Sequence, residues 1–68
     1  MQSLGLAWDV VQISRDAAEK GWLPVDLARH AGVSHMTVGR FLRGERQTAR
    51  TAKRLAAALG RPLRRYMV

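Results

Sequence analysis

Apolar residues recur at helical spacing along the chain, and glycine or proline interrupts them at short intervals. Between Leu4 and Lys20, Leu6, Val10, Ile13 and Ala17 follow the i, i+4, i+7, i+11 rule, with Ala7, Val11 and Ala18 beside them. This predicts a first helix facing a core, ended by Gly21. Pro24 suits the first position of a second helix, where its missing N–H would have no partner in any case, and that helix extends over about 24–30. Leu23 is a poor N-cap for it, and Asp26 in the first turn offsets this only in part through the helix dipole. Ser34 is a good N-cap for a third helix, about 34–43, with Gly44 just past its end. Gln47 or Thr48 caps a fourth, in which Ala52, Leu55, Ala56 and Leu59 keep one apolar face. Gly60 closes that helix and Pro62 opens a last turn, where Leu63, Tyr66 and Met67 again fall at i, i+3, i+4. Nothing reads as a strand, so the pattern predicts one compact all-α domain of five short helices over 1–68.

The stretch from Leu27 to Gly44 is the most specific part. Leu27, Ala28 and Ala31 share one side of the second helix, and Val38, Phe41 and Leu42 share one side of the third. Each helix is too short to stand alone, so their apolar faces must meet across the break. That needs a small residue at the close approach and a glycine able to take positive φ, which Ala28 and Gly32 supply. The result is a helix-turn-helix. Met36, Gly39, Arg40 and Arg43 are left outside the shared core. Gly39 opposes helix formation by about 1 kcal/mol relative to alanine, which points to the close approach of another helix or of a bound molecule.

Charge sharpens this picture. The formal net charge is +7 and the isoelectric point about 11.6, and the charge is polarised along the chain. Residues 1 to 26 hold two basic against four acidic side chains, a net of −2, whereas residues 27 to 68 hold ten basic against Glu45 alone, a net of +9. A basic half of this kind is the electrostatic footprint of a nucleic-acid binder. At 68 residues a large active-site cavity is not expected, since such domains bury only about 60% of the unfolded chain's surface. There is no cysteine, hence no disulfide framework and no thiolate metal site. The first residues lack a signal-peptide pattern, and no apolar run approaches the roughly 20 residues that span a bilayer. The expectation is a soluble, intracellular protein.

An α-helix fits the major groove of B-DNA, and the third helix has the required layout. With Val38 pointing into the core, a rotation of about 100° per residue places Met36, Arg40 and Arg43 on the opposite side, with Thr37 and Gly39 flanking them. Arg40 is the strongest candidate for base reading, because a guanidinium bonds guanine O6 and N7 as a pair; Met36 suits a thymine methyl, and His35 a base edge. Phosphate contacts fall to Ser34, Thr37, Gln47 and Thr48 near helix N-termini, and to Arg43, Arg46 and Arg50 along the same edge.

From Gly21 to Met67, GWLPVDLARHAGVSHMTVGRFLRGERQTARTAKRLAAALGRPLRRYM resembles the Cro/phage-repressor (Xre-like) helix-turn-helix family. The matching elements are Leu27-Ala28, Ala31-Gly32-Val33-Ser34, Thr37-Val38, Arg40-Phe41, Arg43-Gly44 and the segment from Leu55 to Gly60. The AGVSHMTVGRFLRG portion is also similar to the lac-repressor headpiece. The resemblance implies a lambda-repressor-like five-helix domain that acts as a transcriptional repressor in the cytoplasm of a bacterial or phage-infected cell, near the nucleoid. It implies double-stranded DNA as partner, a homodimer on a palindromic operator, and no cofactor. By position it carries base contact onto His35, Met36 and Arg40, and phosphate contact onto Ser34, Arg43, Gln47, Thr48 and Arg50. Pro24 and Gly39 depart from the family's usual polar residues at those places.

Other chemistries fit less well. Ser34 and His35 are the only adjacent hydroxyl and imidazole, and side by side at a helix start they diverge, so no catalytic site is expected. His30 and His35 lie across the turn with no carboxylate or thiolate to complete a metal site. Trp8, Trp22 and Tyr66 read as core or interface aromatics, because a single-strand binder would set them on the basic face. The competing reading is a protein-interaction module of the same fold. Its support is the acidic, apolar-rich first third and an exposed-looking tail at Tyr66, Met67 and Val68, which serves a homodimer equally well.

Overall fold

Asp9 sets the start of the first helix: its carboxylate accepts the N–H of Gln12 at 3.0 Å, so α1 runs Val10–Glu19. The computed structural model describes residues 8–68, and the part of the predicted first helix from Leu4 to Ala7 lies outside them. Trp8 and Asp9 are not helical, which corrects the expected start. Ile13 and Ala17 are buried as the pattern required, whereas Val11 and Ala18 face solvent.

α2 spans Pro24–Ala31, with Pro24 at its first position as expected. Leu23 offers no side-chain cap, but Asp26 does more than complement the dipole: its carboxylate accepts the Leu23 N–H at 2.9 Å and the Arg29 guanidinium at 2.9 Å. One orphan donor of the helix start is thereby satisfied. At the other end Gly32 takes φ +72, a left-handed conformation that costs glycine nothing, and the Val33 N–H returns to the Ala28 carbonyl at 3.1 Å. That turn aims the chain into α3, His35–Leu42, which Ser34 caps through the Thr37 N–H at 3.1 Å. α4 spans Ala49–Leu59 and is capped by Thr48, the second of the two caps the sequence allowed.

Leu27 and Ala28 of α2, Val38 and Phe41 of α3, and Ala52, Leu55, Ala56 and Leu59 of α4 are all buried together with Ile13 and Ala17. Each large apolar side chain so buried contributes about 1.5–3 kcal/mol, which is why none of these short helices needs to be stable alone. Trp8 closes one side of the core, its ring 6.4 Å from that of Phe41.

The expected fifth helix is a single 3-10 turn, Leu63–Tyr66. Among the described residues the chain is therefore four α-helices and this turn, and an isolated antiparallel bridge between Trp8 and Met67 is the only β pairing. The Asp9 N–H donates to the Tyr66 carbonyl at 2.7 Å, tying the last turn to the start of α1. Tyr66 is fully buried, which corrects its reading as part of an exposed tail; Met67 and Val68 are exposed at 58% and 86%. The reason is Asp16, itself buried on α1. Its carboxylate accepts Arg65 Nε at 2.7 Å, Arg65 Nη2 at 3.1 Å, the Tyr66 hydroxyl at 2.6 Å and Gln12 Nε2 at 2.9 Å. The Arg65 guanidinium, with the Tyr66 and Gln12 donors, holds Asp16 well below the usual carboxylate range against the opposing effect of burial. Burial, and then the bond to Asp16, pushes the Tyr66 phenol up.

Candidate nucleic-acid interface

Because Val38 and Phe41 point into the core, α3 presents His35, Met36 and Arg40 to solvent, with Met36 57% exposed. These are the three residues assigned to base contact, and they lie on both flanks of the helix. On one flank, Thr37 and Arg40 line a cleft of about 400 Å³ together with Arg46, Thr48, Arg50 and Thr51. On the other, His35, Met36, Gly39 and Arg43 line one of about 360 Å³ with Pro24 and Leu42.

The first cleft is built from two helix starts. Ser34 and Thr37 bring their hydroxyls to 2.9 Å at the start of α3, and Thr48 repeats the arrangement at the start of α4, accepting the Thr51 N–H at 3.2 Å and donating to the Thr51 hydroxyl at 3.1 Å. Helix starts carry partial positive charge, and here the arginines 40, 46 and 50 add full charges to it. Among the described residues the ion pairs are Arg29–Asp26, Arg43–Glu45 and Arg65–Asp16, so Arg40, Arg46 and Arg50 form none. Five of the residues expected at bases or phosphates, Thr37, Arg40, Arg46, Thr48 and Arg50, meet in this one cleft. Thr51 was missed by the sequence reading. Its signal is the hydroxyl pair at i, i+3, which repeats the spacing of Ser34 and Thr37.

The other expected phosphate residues are placed differently. Gln47 turns inward: its amide donates to the Phe41 carbonyl at 2.9 Å, while its oxygen is buried and accepts no hydrogen bond. That carbonyl also accepts the Gly44 N–H at 3.0 Å, so the Gln47 amide is a second donor to it and is engaged within the fold. Arg54, exposed on α4, reaches across to the Gly32 carbonyl at 3.3 Å and holds the turn between α2 and α3. Arg50 also borders a further basic surface with Lys53, Arg54 and Ala57 along α4.

Arg43 lies on the flank away from Arg40. Its Nε donates to Glu45 at 2.7 Å, a bond that holds the Glu45 carboxyl below its ordinary value. The guanidinium folds back over Gly39, where an added Cβ would lie 3.2 Å from Arg43 Nη1. The nearest group to the glycine is therefore the side chain of Arg43, the residue that ends its own helix. Replacing Gly39 with alanine is expected to raise stability by up to about 1 kcal/mol, because only the flexible end of Arg43 has to yield. Thermal melting checks this, and a lower melting temperature would show that the seat over Gly39 is rigid.

On the opposite side, Trp22 and His30 stack at 4.0 Å with 7° between their planes, and the Lys20 ammonium lies 5.4 Å from the indole. His30 is thus spent on an aromatic neighbour. No described helix is long and apolar enough to cross a membrane.

A sequence model of the helix-turn-helix family matches residues 13–65, from the middle of α1 to the last turn. No curated protein sequence and no solved structure matches the chain.

Proposed function

Because the chain belongs to the Cro/Xre-like helix-turn-helix family, we propose that it is a sequence-specific duplex-DNA binder that regulates transcription as a repressor. The observation that carries this is the cleft where Arg40, Arg46 and Arg50, none of them ion-paired, meet two hydroxyl-capped helix starts. A curved rod of phosphates is the ligand such a cleft fits, since backbone N–H groups and guanidinium groups both donate to phosphate oxygens. With the cleft on one strand, α3 lies in the major groove. Arg40 then reads a guanine, Met36 a thymine methyl and His35 a base edge, while Thr37, Arg46, Thr48, Arg50 and Thr51 hold the backbone. Ser34 contributes through the helix start that it caps.

The protein acts by occupying its site in the cytoplasm, with no cofactor. A homodimer on a palindromic operator supplies the second half-site, and its contact uses the exposed Met67 and Val68. Sedimentation at micromolar concentration, with and without operator, tests this; a monomer that persists on the DNA counts against it.

A protein partner is the second reading. What favours it is an apolar cavity of about 210 Å³ between α1 and α2, lined by Ala17, Trp22 and Leu27 and rimmed by the exposed Leu23.

Selection from random duplexes identifies the cognate site, and two variants then divide the roles. Arg40→Ala is expected to weaken cognate binding by about 1–3 kcal/mol and to relax preference at one base pair, whereas Arg50→Ala weakens cognate and scrambled duplexes alike. Equal losses on both duplexes for Arg40→Ala would remove it from base reading.

A further inference from the structure

We infer that Arg43 is a second base-reading residue and that Glu45 is the positioning residue which aims it. The inference rests on the DNA-binding reading above and assigns Arg43 to the groove, where the sequence had assigned it to phosphate. Three observations carry it.

The first is location. Arg43 shares its cleft with His35 and Met36, the groove-facing residues at the start of α3, on the flank opposite the cleft that Arg40 lines with Arg46, Thr48 and Arg50. The second is the seat. At position 39 the helix carries no side chain, and the Arg43 guanidinium lies back over it, so the group runs along the exposed surface of α3. The third is the pairing geometry. Glu45 takes the Nε edge of the guanidinium, at 2.7 Å to Nε and 3.5 Å to Nη2. The two N–H groups on Nη1 and the outer one on Nη2 stay free. That outer edge presents two parallel donors, the pattern that matches guanine O6 and N7.

Glu45 is the one acidic residue after Asp26. A carboxylate at a phosphate surface repels its ligand, so its presence there weakens general DNA binding. Its compensation is orientation: a guanidinium fixed at one edge loses less freedom when the other edge binds a base.

The test compares Glu45→Gln and Arg43→Lys with wild type on the selected site, on that site with each base pair changed in turn, and on a scrambled duplex. Both side chains are exposed, and circular dichroism verifies the fold. Arg43→Lys is expected to lose preference at a guanine position distinct from the one relaxed in Arg40→Ala, by about 5- to 150-fold. Glu45→Gln is expected to relax the same position while holding or raising affinity for the scrambled duplex. If Arg43 serves only phosphates, lysine replaces it as a point charge and no position relaxes. In that outcome Glu45→Gln strengthens every duplex equally, and the inference is overturned while the DNA-binding reading survives. A wild-type chain that selects no site at all overturns both.

Discussion

Asp16→Ala is expected to destabilise the fold by about 3 kcal/mol. The carboxylate is 2% exposed and accepts four hydrogen bonds from Arg65, Tyr66 and Gln12. Breaking a fully buried ion pair costs about 3–5 kcal/mol, but Arg65 is 37% exposed at its side chain and recovers part of that from water. The Tyr66 hydroxyl has no such recourse, and a buried donor left unsatisfied costs about 1–3 kcal/mol by itself. A domain of this size has about 3–10 kcal/mol in total, so the variant is expected to be largely unfolded in mild denaturant. Urea unfolding followed by far-UV circular dichroism measures the loss, and a change below about 1 kcal/mol would mean that the cluster is incidental.

The same group gives the fold an acid dependence of definite sign. Asp16 is held below its ordinary value, so the folded state binds fewer protons than the unfolded chain near pH 4. Its stabilisation is complete above the unfolded aspartate value of about 3.9 and is lost progressively as pH falls below it toward the depressed folded value. Asp16→Asn is expected to flatten this part of the stability profile.

Cognate DNA binding is expected to fall about 150-fold per chain between 50 and 200 mM salt. About four neutralised phosphates give a slope of about −3.6 in log K against log salt, and the fourfold rise in salt converts that slope into the loss. A dimer that engages both half-sites doubles the slope. Titrations at four salt concentrations measure it, and substitution of Arg46 or Arg50 is expected to make it shallower by about 1. Binding that survives 200 mM salt unchanged would transfer the functional weight to the apolar cavity beside Trp22 and to a protein partner.

Much of the frame is legible in the sequence because it rests on local rules. Ser34, Thr48, Gly32 and Gly60 mark the ends of α2, α3 and α4, and each does so through bonds within a few residues. The helix-turn-helix and the outward set of Arg40 and Met36 follow from periodicity alone. Asp16 was illegible because its partners lie 49 and 50 residues away. A trace was present, since Asp16 stands three residues after Ile13, on the face of α1 that should be apolar. The inward bond of Gln47 was illegible for a related reason: a polar residue in a loop is counted as exposed until the carbonyl it serves is known. Gly39 announced a close approach without saying from what, because the geometry of Arg43 depends on Glu45 beyond the helix end.

The bond between Asp9 and Tyr66 and the Asp16 cluster also set a schedule for biosynthesis. All four helices emerge from the ribosome before Arg65 and Tyr66 do, so Asp16 lacks three of its four hydrogen bonds until those two residues arrive. Until then a carboxylate stands without its cation on the face of α1 that packs into the core. Chains that stop short of Arg65 keep that carboxylate unpaired, which lowers the stability of the incomplete fold and favours its removal by proteases.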